Sequence, residues 1–386
     1  MVQAFTNCRI FDGQDWIAES ALLVEDGKVI SIAAQSELSS GVKTVDTAGG
    51  LIVPGFIDLQ VNGGGGVMLN DDRSVEGIRQ ICAAHASFGT TALLPTLITD
   101  TREVTAAAIE AGLNAKAARI PGFIGLHLEG PHLSVARKGT HHPDLIRAME
   151  KEDLERLLKI GKSFDALMIT VAPENTTLEQ VKALAEGGFI VSLGHTNAAF
   201  ETAEAYVEAG ARTVTHLFNA MSPLENRSPG LVGAALELST VSAGIIADGF
   251  HVHPAAMRTA LRAKQGPGRI FIVTDAMSTI GTNLEGLTLN GRQIYRKDGR
   301  LTLADGTLAG ADIDMLSSVL FVHRKLGLEI EEAIRMASLY PAEAAGLAGR
   351  KGQLKQGYDA DFLILTNDYQ LKSTWIGGTQ VFSADC

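Results

Sequence analysis

The chain has 386 residues, of which 46% are hydrophobic and 20% are charged, and its formal net charge is −11. This length and composition allow a large buried core, as two ordinary domains or as one barrel with a satellite, and argue against disorder. The acidic balance, without a cluster of Lys and Arg, argues against nucleic acid or an anionic membrane as a partner. A small anionic ligand remains compatible with it.

Three cysteines, Cys8, Cys82 and Cys386, lie far apart in the sequence and form no CxxC motif. This spacing argues against a disulfide framework or a cysteine zinc site and favours a reducing compartment. The first seven residues lack the basic segment and the apolar run of a signal peptide. No apolar stretch reaches membrane-spanning length. We therefore expect a soluble, cytoplasmic protein.

The first 50 residues predict a small β-rich segment, because short apolar or alternating runs follow one another. These runs are Ala4–Ile10, Ala21–Glu25 and Lys28–Ala33. The sequence Glu25-Asp26-Gly27 is a hairpin signal between the last two runs.

From Leu51 onward, predicted strands alternate with predicted helices. The strands are Leu51–Leu59, Thr91–Leu97, Gly122–Glu129, Ala166–Ala172, Phe189–His195, Thr213–His216, Val241–Asp248 and Arg269–Asp275. The helices are Ser74–Phe88, Thr101–Ala118, Lys151–Gly161, Thr177–Gly187, Ala198–Ala209, Gly230–Leu238 and Pro254–Lys264. Eight apolar strands alternating with helices favour an α/β fold of the closed (β/α)8 TIM-barrel type. An open doubly wound sheet is the alternative, but the glycine run 63–66 lacks the GxGxxG spacing that such sheets often carry.

After the eighth strand, the segment Leu284–Leu303 has the pattern of β-hairpins, with turns at residues 289–291 and 297–299. Two helices, Ile313–Leu326 and Ile330–Ser338, and two strands, Asp361–Leu365 and Ser373–Ile376, are predicted to follow. Strands at both chain ends predict one small β-sandwich domain formed by residues 1–50 and 350–386. The barrel would then comprise residues 51–349.

Polar side chains end five of the predicted barrel strands. They are Glu129, His195, His216, Asp248 and Asp275. Strand ends of a barrel converge on one face, where catalytic residues lie. Two imidazoles and a carboxylate, from Glu129, His195 and His216, would hold a divalent ion with an open coordination position, as in catalytic metal sites.

Such an ion polarises a carbonyl and lowers the pKa of bound water to about 7. Asp275, at the end of the eighth predicted strand, is placed to accept the proton of that water and to return it to the leaving group. Two alternatives are that Asp275 is a fourth ligand or that it orients His195 through a hydrogen bond.

Seven short motifs occur in order along the chain. They are Pro54-Gly55-Phe56-Ile57-Asp58, His127-Leu128-Glu129-Gly130-Pro131, Lys138-Gly139-Thr140-His141, Gly194-His195-Thr196, His216-Leu217-Phe218-Asn219-Ala220-Met221, Asp248-Gly249-Phe250-His251 and Thr274-Asp275-Ala276-Met277. Together they resemble the N-acetylglucosamine-6-phosphate deacetylase family of the amidohydrolase superfamily. The resemblance extends from the N-terminal β segment to Asp361.

The resemblance implies hydrolysis of N-acetylglucosamine 6-phosphate to glucosamine 6-phosphate and acetate, in amino-sugar catabolism or cell-wall recycling. It also implies one divalent metal ion per subunit, bound by Glu129, His195 and His216. Zinc is the first candidate, and iron, manganese or cobalt also suit nitrogen and oxygen ligands.

The resemblance assigns catalytic roles to Asp275, as general base and acid, and to His141, which would polarise the acetyl carbonyl. The implied substrate-binding residues are Thr140, His141, Asn219, Ala220, Arg227, Asp248, His251, Leu308, Ala309 and Gly310. His251 and Arg227 would hold the 6-phosphate, with Arg227 reaching across the interface of a homodimer.

Two positions depart from the superfamily pattern. Many amidohydrolases carry His-x-His after the first barrel strand, where this chain has Gln60-Val61-Asn62. Because amides are poor ligands for transition metals, Gln60 and Asn62 predict a vestigial second metal position. His132 is expected in a loop near the pocket mouth, or else as an added ligand or hydrogen-bonding group. His127 is expected to support the site from deeper in the barrel.

Two other functions are compatible with the sequence: an amidohydrolase acting on another N-acyl or cyclic amide, and a barrel that serves only as a scaffold. Scaffolds usually lose their metal ligands, whereas this chain keeps the complete set.

Overall fold

The computed structural model describes residues 1–39, 41–289 and 291–384. Asn290, in one predicted turn, and Cys386 lie outside these residues. The strands are β1 Gln3–Phe11, β2 Trp16–Glu25, β3 Lys28–Ala34, β4 Lys43–Pro54, β5 Phe56–Val61, β6 Gly63–Gly64, β7 Val67–Met68, β8 Thr90–Ile98, β9 Gly125–Glu129, β10 Ala166–Val171, β11 Ile190–Leu193, β12 Thr213–Val214, β13 Ser242–Ile246, β14 Ile270–Val273, β15 Gly286–Leu289, β16 Arg292–Lys297, β17 Arg300–Thr302, β18 Leu308–Ala311, β19 Phe362–Leu365, β20 Leu371–Ile376 and β21 Thr379–Ser383.

The helices are α1 Val75–Ala86, α2 Arg102–Ala117, α3 Lys151–Leu158, α4 Leu178–Glu186, α5 Phe200–Glu208, α6 Gly230–Glu237, α7 Pro254–Ala263, α8 Met315–Phe321, α9 Ile330–Ala337 and α10 Leu339–Ala344. Of the helices in the described part of the chain, none is both long enough and apolar enough to cross a membrane. Ser74 caps α1 by accepting a hydrogen bond from the backbone of Gly77, as its position before the helix predicts.

Eight parallel strands form the barrel, in the order β14-β13-β12-β11-β10-β9-β8-β5. The two outer strands of this order meet at their ends, where the backbone N–H of Asp275 donates to the carbonyl of Gln60 at 2.9 Å. A parallel bridge between Val61 and Ala276 continues this contact. The prediction of a (β/α)8 barrel is therefore confirmed, and the open doubly wound alternative is wrong.

Strands from both chain ends form a second sheet of seven strands, in the order β21-β20-β19-β4-β1-β2-β3. Its apolar core includes Phe5, Phe362 and Trp375, whose rings contact one another at centroid distances of 4.8 to 5.6 Å. The prediction of a small β-sandwich built from both ends is confirmed. Its division from the barrel at residues 50 and 350 stays a prediction.

The predicted strand Leu51–Leu59 is wrong as one element, because the apolar run is shared by both sheets. Strand β4 of the seven-stranded sheet ends at Pro54, and strand β5 of the barrel begins at Phe56. Gly55 makes the step between them, where a Cβ atom would lie only 2.2 Å from Thr91 Oγ1. Both halves are buried, so the apolar pattern does not mark the boundary.

The predicted hairpins after the eighth barrel strand form a sheet of their own, β15-β16-β17-β18, in antiparallel order. Its apolar side packs against Met68, Ile98 and Met277, which extend from the barrel. This small sheet lies beside the carboxyl ends of the barrel strands, because β18 pairs through Ala311 with Ala276.

Candidate active site

Three side chains converge at the carboxyl ends of β9, β11 and β12. Oε1 of Glu129 lies 3.1 Å from Nε2 of His195 and 3.2 Å from Nε2 of His216, and the two Nε2 atoms lie 3.0 Å apart. All three residues are buried. Tetrahedral ligands about 2.0 Å from a zinc ion lie about 3.3 Å apart, so these three spacings suit a shared ion.

The hydrogen bonds of His195 show why these atoms need a cation. Nδ1 of His195 lies 2.9 Å from the carbonyl of Arg137, which only accepts, so Nδ1 carries the ring proton. Nε2 of a neutral His195 then presents a lone pair to the carboxylate of Glu129. Two lone pairs at this distance repel each other unless a cation or a proton lies between them, and a divalent ion fits this set of donors.

His141 lies beside this cluster but carries its ring proton on the other nitrogen, Nε2. A ligand atom of His141, one of Glu129 and one of His195 all lie within 4.8 Å of one another. Nδ1 of His141 accepts a hydrogen bond from the backbone N–H of Thr99 at 3.3 Å and lies 2.8 Å from Thr99 Oγ1. The ring proton of a neutral His141 is therefore on Nε2, which makes it a hydrogen-bond donor rather than a metal ligand.

Asp275 faces the same centre and is held by two amides. Its Oδ1 accepts from Asn62 Nδ2 at 2.7 Å and from Gln60 Nε2 at 3.1 Å. Gln60 Nε2 also donates to Glu129 Oε1 at 3.1 Å, so one amide group bridges the two carboxylates. No hydrogen bond joins Asp275 to His195 within the described residues, which removes the alternative that Asp275 orients His195.

Burial and neighbouring charges shift the pKa values of these groups in opposite directions. Burial, reinforced by the charge of Glu129, raises the pKa of Asp275. Burial alone would raise the pKa of Glu129 too, but the adjacent imidazoles of His195 and His216 hold it well below its usual range. Burial lowers the pKa of His141 to about 3, so this ring is neutral. Such a divergence between neighbouring carboxyls is typical of catalytic sites.

Left-handed backbone conformations turn the site residues inward. His195, His216 and Asp275 have φ values of +48°, +30° and +52°. Residues other than glycine rarely adopt such values, and strained positions cluster at functional sites. The regular strands β11, β12 and β14 each end two residues before these positions. The predicted strands, which end at His195, His216 and Asp275, are therefore two residues too long.

Comparisons with known proteins agree with this geometry. A sequence model of the amidohydrolase family matches residues 51–381, and one of the NagA composite domain matches residues 3–52. The chain belongs to the amidohydrolase family. It is 40% identical to an N-acetylgalactosamine-6-phosphate deacetylase of Shewanella sp. (strain ANA-3), over 95% of this chain and 92% of that protein. It is 37% identical to an N-acetylglucosamine-6-phosphate deacetylase of Haemophilus influenzae, over 98% and 99% of the two chains.

The crystal structure of N-acetylglucosamine-6-phosphate deacetylase from Pasteurella multocida superposes on this amidohydrolase with a TM-score of 0.94. The two chains are 35% identical, and the match covers 98% of this chain and 99% of the other. The resemblance expected from the seven motifs is thereby confirmed.

The central residues of this amidohydrolase share one cavity of about 50 Å³. Of the residues predicted for the site, those that line it are Asn62, Glu129, Thr140, His141, His195, His216, Asp275 and Gly310. Ile98, Met277 and Leu289 also line it and were not predicted, because apolar side chains in a strand or hairpin give no functional signal. Arg292, likewise not predicted, donates to the carbonyl of Thr140 at 2.6 Å and ties β16 to the loop that carries His141.

Asp248 and His251 form a pair just after β13. Nδ1 of His251 lies 2.6 Å from Oδ2 of Asp248, and Oδ1 of Asp248 accepts the backbone N–H groups of Phe250 and His251. Both oxygens of Asp248 therefore hold the loop and the ring of His251 in position. The Nε2 atom of His251 stays available for a ligand.

The remaining predicted residues lie around this centre with different degrees of exposure. Asn219 donates to the carbonyls of His216 and Leu217, and Ala220 has a φ of +50°. Arg227 is exposed in the loop between β12 and α6, without an ion pair or hydrogen bond to the described residues. The predicted segment of Leu308, Ala309 and Gly310 lies in β18, with Ala309 buried and Leu308 half-buried.

His127 and His132 lie apart from the cluster of Glu129, His195 and His216. His127 points into the barrel, where its Nε2 lies 2.7 Å from Thr170 Oγ1, and Thr170 in turn lies 2.7 Å from Thr215 Oγ1. These contacts link His127 through Thr170 to Thr215, the neighbour of His216 in the chain, and the expected support of the site stays a prediction. His132 is buried outside the barrel strands, with its Nδ1 3.0 Å from the carbonyl of Arg147.

Proposed function

We propose that this amidohydrolase removes acetate from N-acetylglucosamine 6-phosphate and yields glucosamine 6-phosphate. The observation that carries the proposal is the pairing of a buried Glu/His/His cluster with Asp275, a carboxyl of raised pKa held by two amides. The likeness to deacetylases of amino-sugar phosphates supplies the substrate class. An amidohydrolase acting on a cyclic or other N-acyl amide is not favoured by these relatives.

Glu129, His195 and His216 would hold one divalent ion, with zinc the first candidate and iron, manganese or cobalt as further ones. Bound there, the ion supplies Lewis-acid polarisation of the acetyl carbonyl and lowers the pKa of water.

Asp275 accepts the proton of the attacking water and later delivers it to the departing amine. A raised pKa brings the carboxyl closer to the operating pH, which favours proton transfer in both directions. The amides of Gln60 and Asn62 fix Oδ1, so the second oxygen of Asp275 is left for the water.

His141 stabilises the negative charge that develops on the carbonyl oxygen. Its Nε2–H donates, because Thr99 occupies Nδ1. Preformed donors of this kind are effective because they need no reorganisation during the reaction. Thr140, Asn219, Ala220 and residues 308–310 would line the sugar.

His251 and Arg227 would bind the 6-phosphate. Asp248 holds His251 in place, and Arg227, which makes no other pairing among the described residues, suits bidentate contact with a phosphate. In this proposal, Arg227 enters the site of the neighbouring subunit of a homodimer. The buried free cysteines Cys8 and Cys82 suit a cytoplasmic role in amino-sugar catabolism or cell-wall recycling.

The test is acetate release from three sugars by the zinc-loaded protein: N-acetylglucosamine 6-phosphate, N-acetylgalactosamine 6-phosphate and unphosphorylated N-acetylglucosamine. We expect kcat/KM to fall by at least about 10²-fold without the phosphate, since two charge-assisted contacts are lost. The galactosamine epimer is the second candidate substrate, because one relative at 40% identity is named for it. Equal rates with and without the phosphate would overturn the proposal.

A further inference from the structure

A second cavity, of about 220 Å³, lies in the outer wall of the barrel between α2 and α3. We call it the wall cavity. Leu128 of β9 and Ile169 of β10 form its floor, and Ile109 and Leu157 lie at its sides. None of its lining residues also lines the cavity at the active site. It is therefore separate from the proposed deacetylase chemistry.

The size of the wall cavity exceeds that of an ordinary packing defect. Protein interiors contain few voids larger than one water molecule, whereas this volume approaches the lower end of small-molecule sites. Two of its lining residues, Ala106 and Arg156, are exposed, so the cavity reaches the protein surface. A ligand smaller than a typical drug would have both the space and the access.

His132 gives the wall cavity a polar acceptor. Its Nδ1 lies 3.0 Å from the carbonyl of Arg147, which only accepts, so Nδ1 carries the proton and Nε2 carries a lone pair. Burial lowers the pKa of His132 to about 4, so the ring stays neutral at physiological pH. The side chain is 2% exposed, and Nε2 has no partner among the described residues. An acceptor on a side chain this buried, without a donor among the described residues, suits a ligand that brings one.

Three arginines line the wall cavity, and they differ in how they are paired. Arg102 and Arg147 both form ion pairs with Asp153, and Arg102 also pairs with Glu150. Arg156 lines the cavity and has no such pair within the described residues. The guanidinium of Arg156 interacts with the carboxylate of Glu103 only at longer range, so it can still form a close ion pair with a ligand.

We propose that the wall cavity is a second small-molecule site, which binds a compact monoanion whose apolar body carries one hydrogen-bond donor. The apolar body contacts Leu128 and Ile169, the donor reaches Nε2 of His132, and the anionic group pairs with Arg156. Each part of this ligand matches one feature of the wall: the apolar floor, the unpartnered Nε2 of His132, or a guanidinium without a close ion pair among the described residues.

Indole-3-acetate is the probe, because it combines an apolar bicycle, one N–H and one carboxylate. We expect calorimetric titration of the zinc-loaded chain to show one saturable site, with an affinity unchanged by saturating glucosamine 6-phosphate. Indole-3-acetamide, which lacks the charge, should bind about tenfold or more weakly. Naphthalene-1-acetate, which lacks the N–H, should bind about threefold to tenfold more weakly.

Paired variants locate the site. Ala106→Trp, at the exposed rim, should abolish binding by filling the cavity, whereas Ala117→Trp on the same helix but outside the cavity should not. Arg156→Gln should weaken binding about tenfold or more, and Lys159→Gln, a matched loss of charge nearby, should not. The proposal is overturned if indole-3-acetate shows no saturable binding at millimolar concentration, if binding survives Ala106→Trp, or if glucosamine 6-phosphate displaces the probe.

Discussion

Replacing Asp275 by Asn changes the proton affinity of this side chain with almost no change in its shape. Oδ1 of Asp275 accepts hydrogen bonds from Gln60 and Asn62, at 3.1 and 2.7 Å. The amide that replaces the carboxyl can keep its own oxygen at that position, since both neighbours are donors. The other oxygen, which we assign to the water, becomes an NH₂ group that accepts no proton.

The size of the expected loss follows from this geometry. A positioned general base contributes about 10²–10⁴-fold to a rate, which corresponds to about 3–5 kcal/mol at 1.36 kcal/mol per factor of ten. Burial and the charge of Glu129 raise the pKa of Asp275, and that shift favours the upper part of the range. We therefore expect kcat of Asp275→Asn to fall at least about 10²-fold, while KM changes little because the phosphate contacts lie elsewhere.

The assay is acetate release at saturating N-acetylglucosamine 6-phosphate, with the metal content of each sample measured in parallel. Asp58→Asn is the matched control, because Asp58 is a fully buried carboxyl on β5 that accepts from Thr274 Oγ1 at 2.5 Å without lining the active-site cavity. A kcat within tenfold of the native value at full metal content would refute the assignment of a base. Loss of the metal in Asp275→Asn would instead show that Asp275 is a ligand.

Four further results are expected. Arg227→Ala should raise KM for the phosphorylated sugar about tenfold or more at unchanged metal content, because a charge-assisted contact is lost; an unchanged KM removes Arg227 from the phosphate site. Chelation of the metal should abolish acetate release and lower Tm, since an ion present at about 1,000 times its Kd stabilises the fold by about 4 kcal/mol. Thr170→Val should lower the free energy of unfolding in urea by about 1–3 kcal/mol, because it leaves Nε2 of buried His127 without a partner. Burial alone would raise the pKa of Asp153, but hydrogen bonds from Arg147 and Arg102 hold it below its usual range. The ionised carboxyl therefore stabilises the folded chain above its unfolded pKa of about 3.9, and this stabilisation is lost as the pH falls below that value. Arg147→Met should accordingly unfold at a higher pH than the native chain in acid titrations.

The convergence of the three proposed metal ligands was predictable because the topology of the fold decides where strand ends meet. Glu129, His195 and His216 each follow an apolar run, and parallel strands of a barrel bring their carboxyl ends to one face whatever lies between them. Only the alternation of helix and strand was needed for this step. The proton positions on His195 and His141 were not predictable, since each depends on a carbonyl or an N–H supplied by a distant loop.

The boundary between the two sheets shows a different limit. Residues on both sides of Gly55 are buried, so hydrophobicity continues through a point where the chain leaves one sheet and enters another. Only the close approach of Thr91 distinguishes this position, and a close approach is a property of the folded chain. The pairing of β18 with the barrel was missed for the same reason, because its contact with Ala276 is long-range; only the family resemblance placed residues 308–310 at the site.

The positions predicted as a vestigial metal site acquire a role that the sequence alone did not suggest. Gln60 lies 69 residues from Glu129 and 215 from Asp275, yet its Nε2 donates to both carboxylates. In a site with two ions, a second cation would lie between such carboxylates and balance their charge. Here two amide hydrogens fill that position, and a cation placed against them would be repelled by the positive end of the N–H dipole. We therefore expect one ion per subunit. In this arrangement Gln60 keeps the carboxylates of Glu129 and Asp275 apart, so that Glu129 faces the ion and Asp275 faces the water.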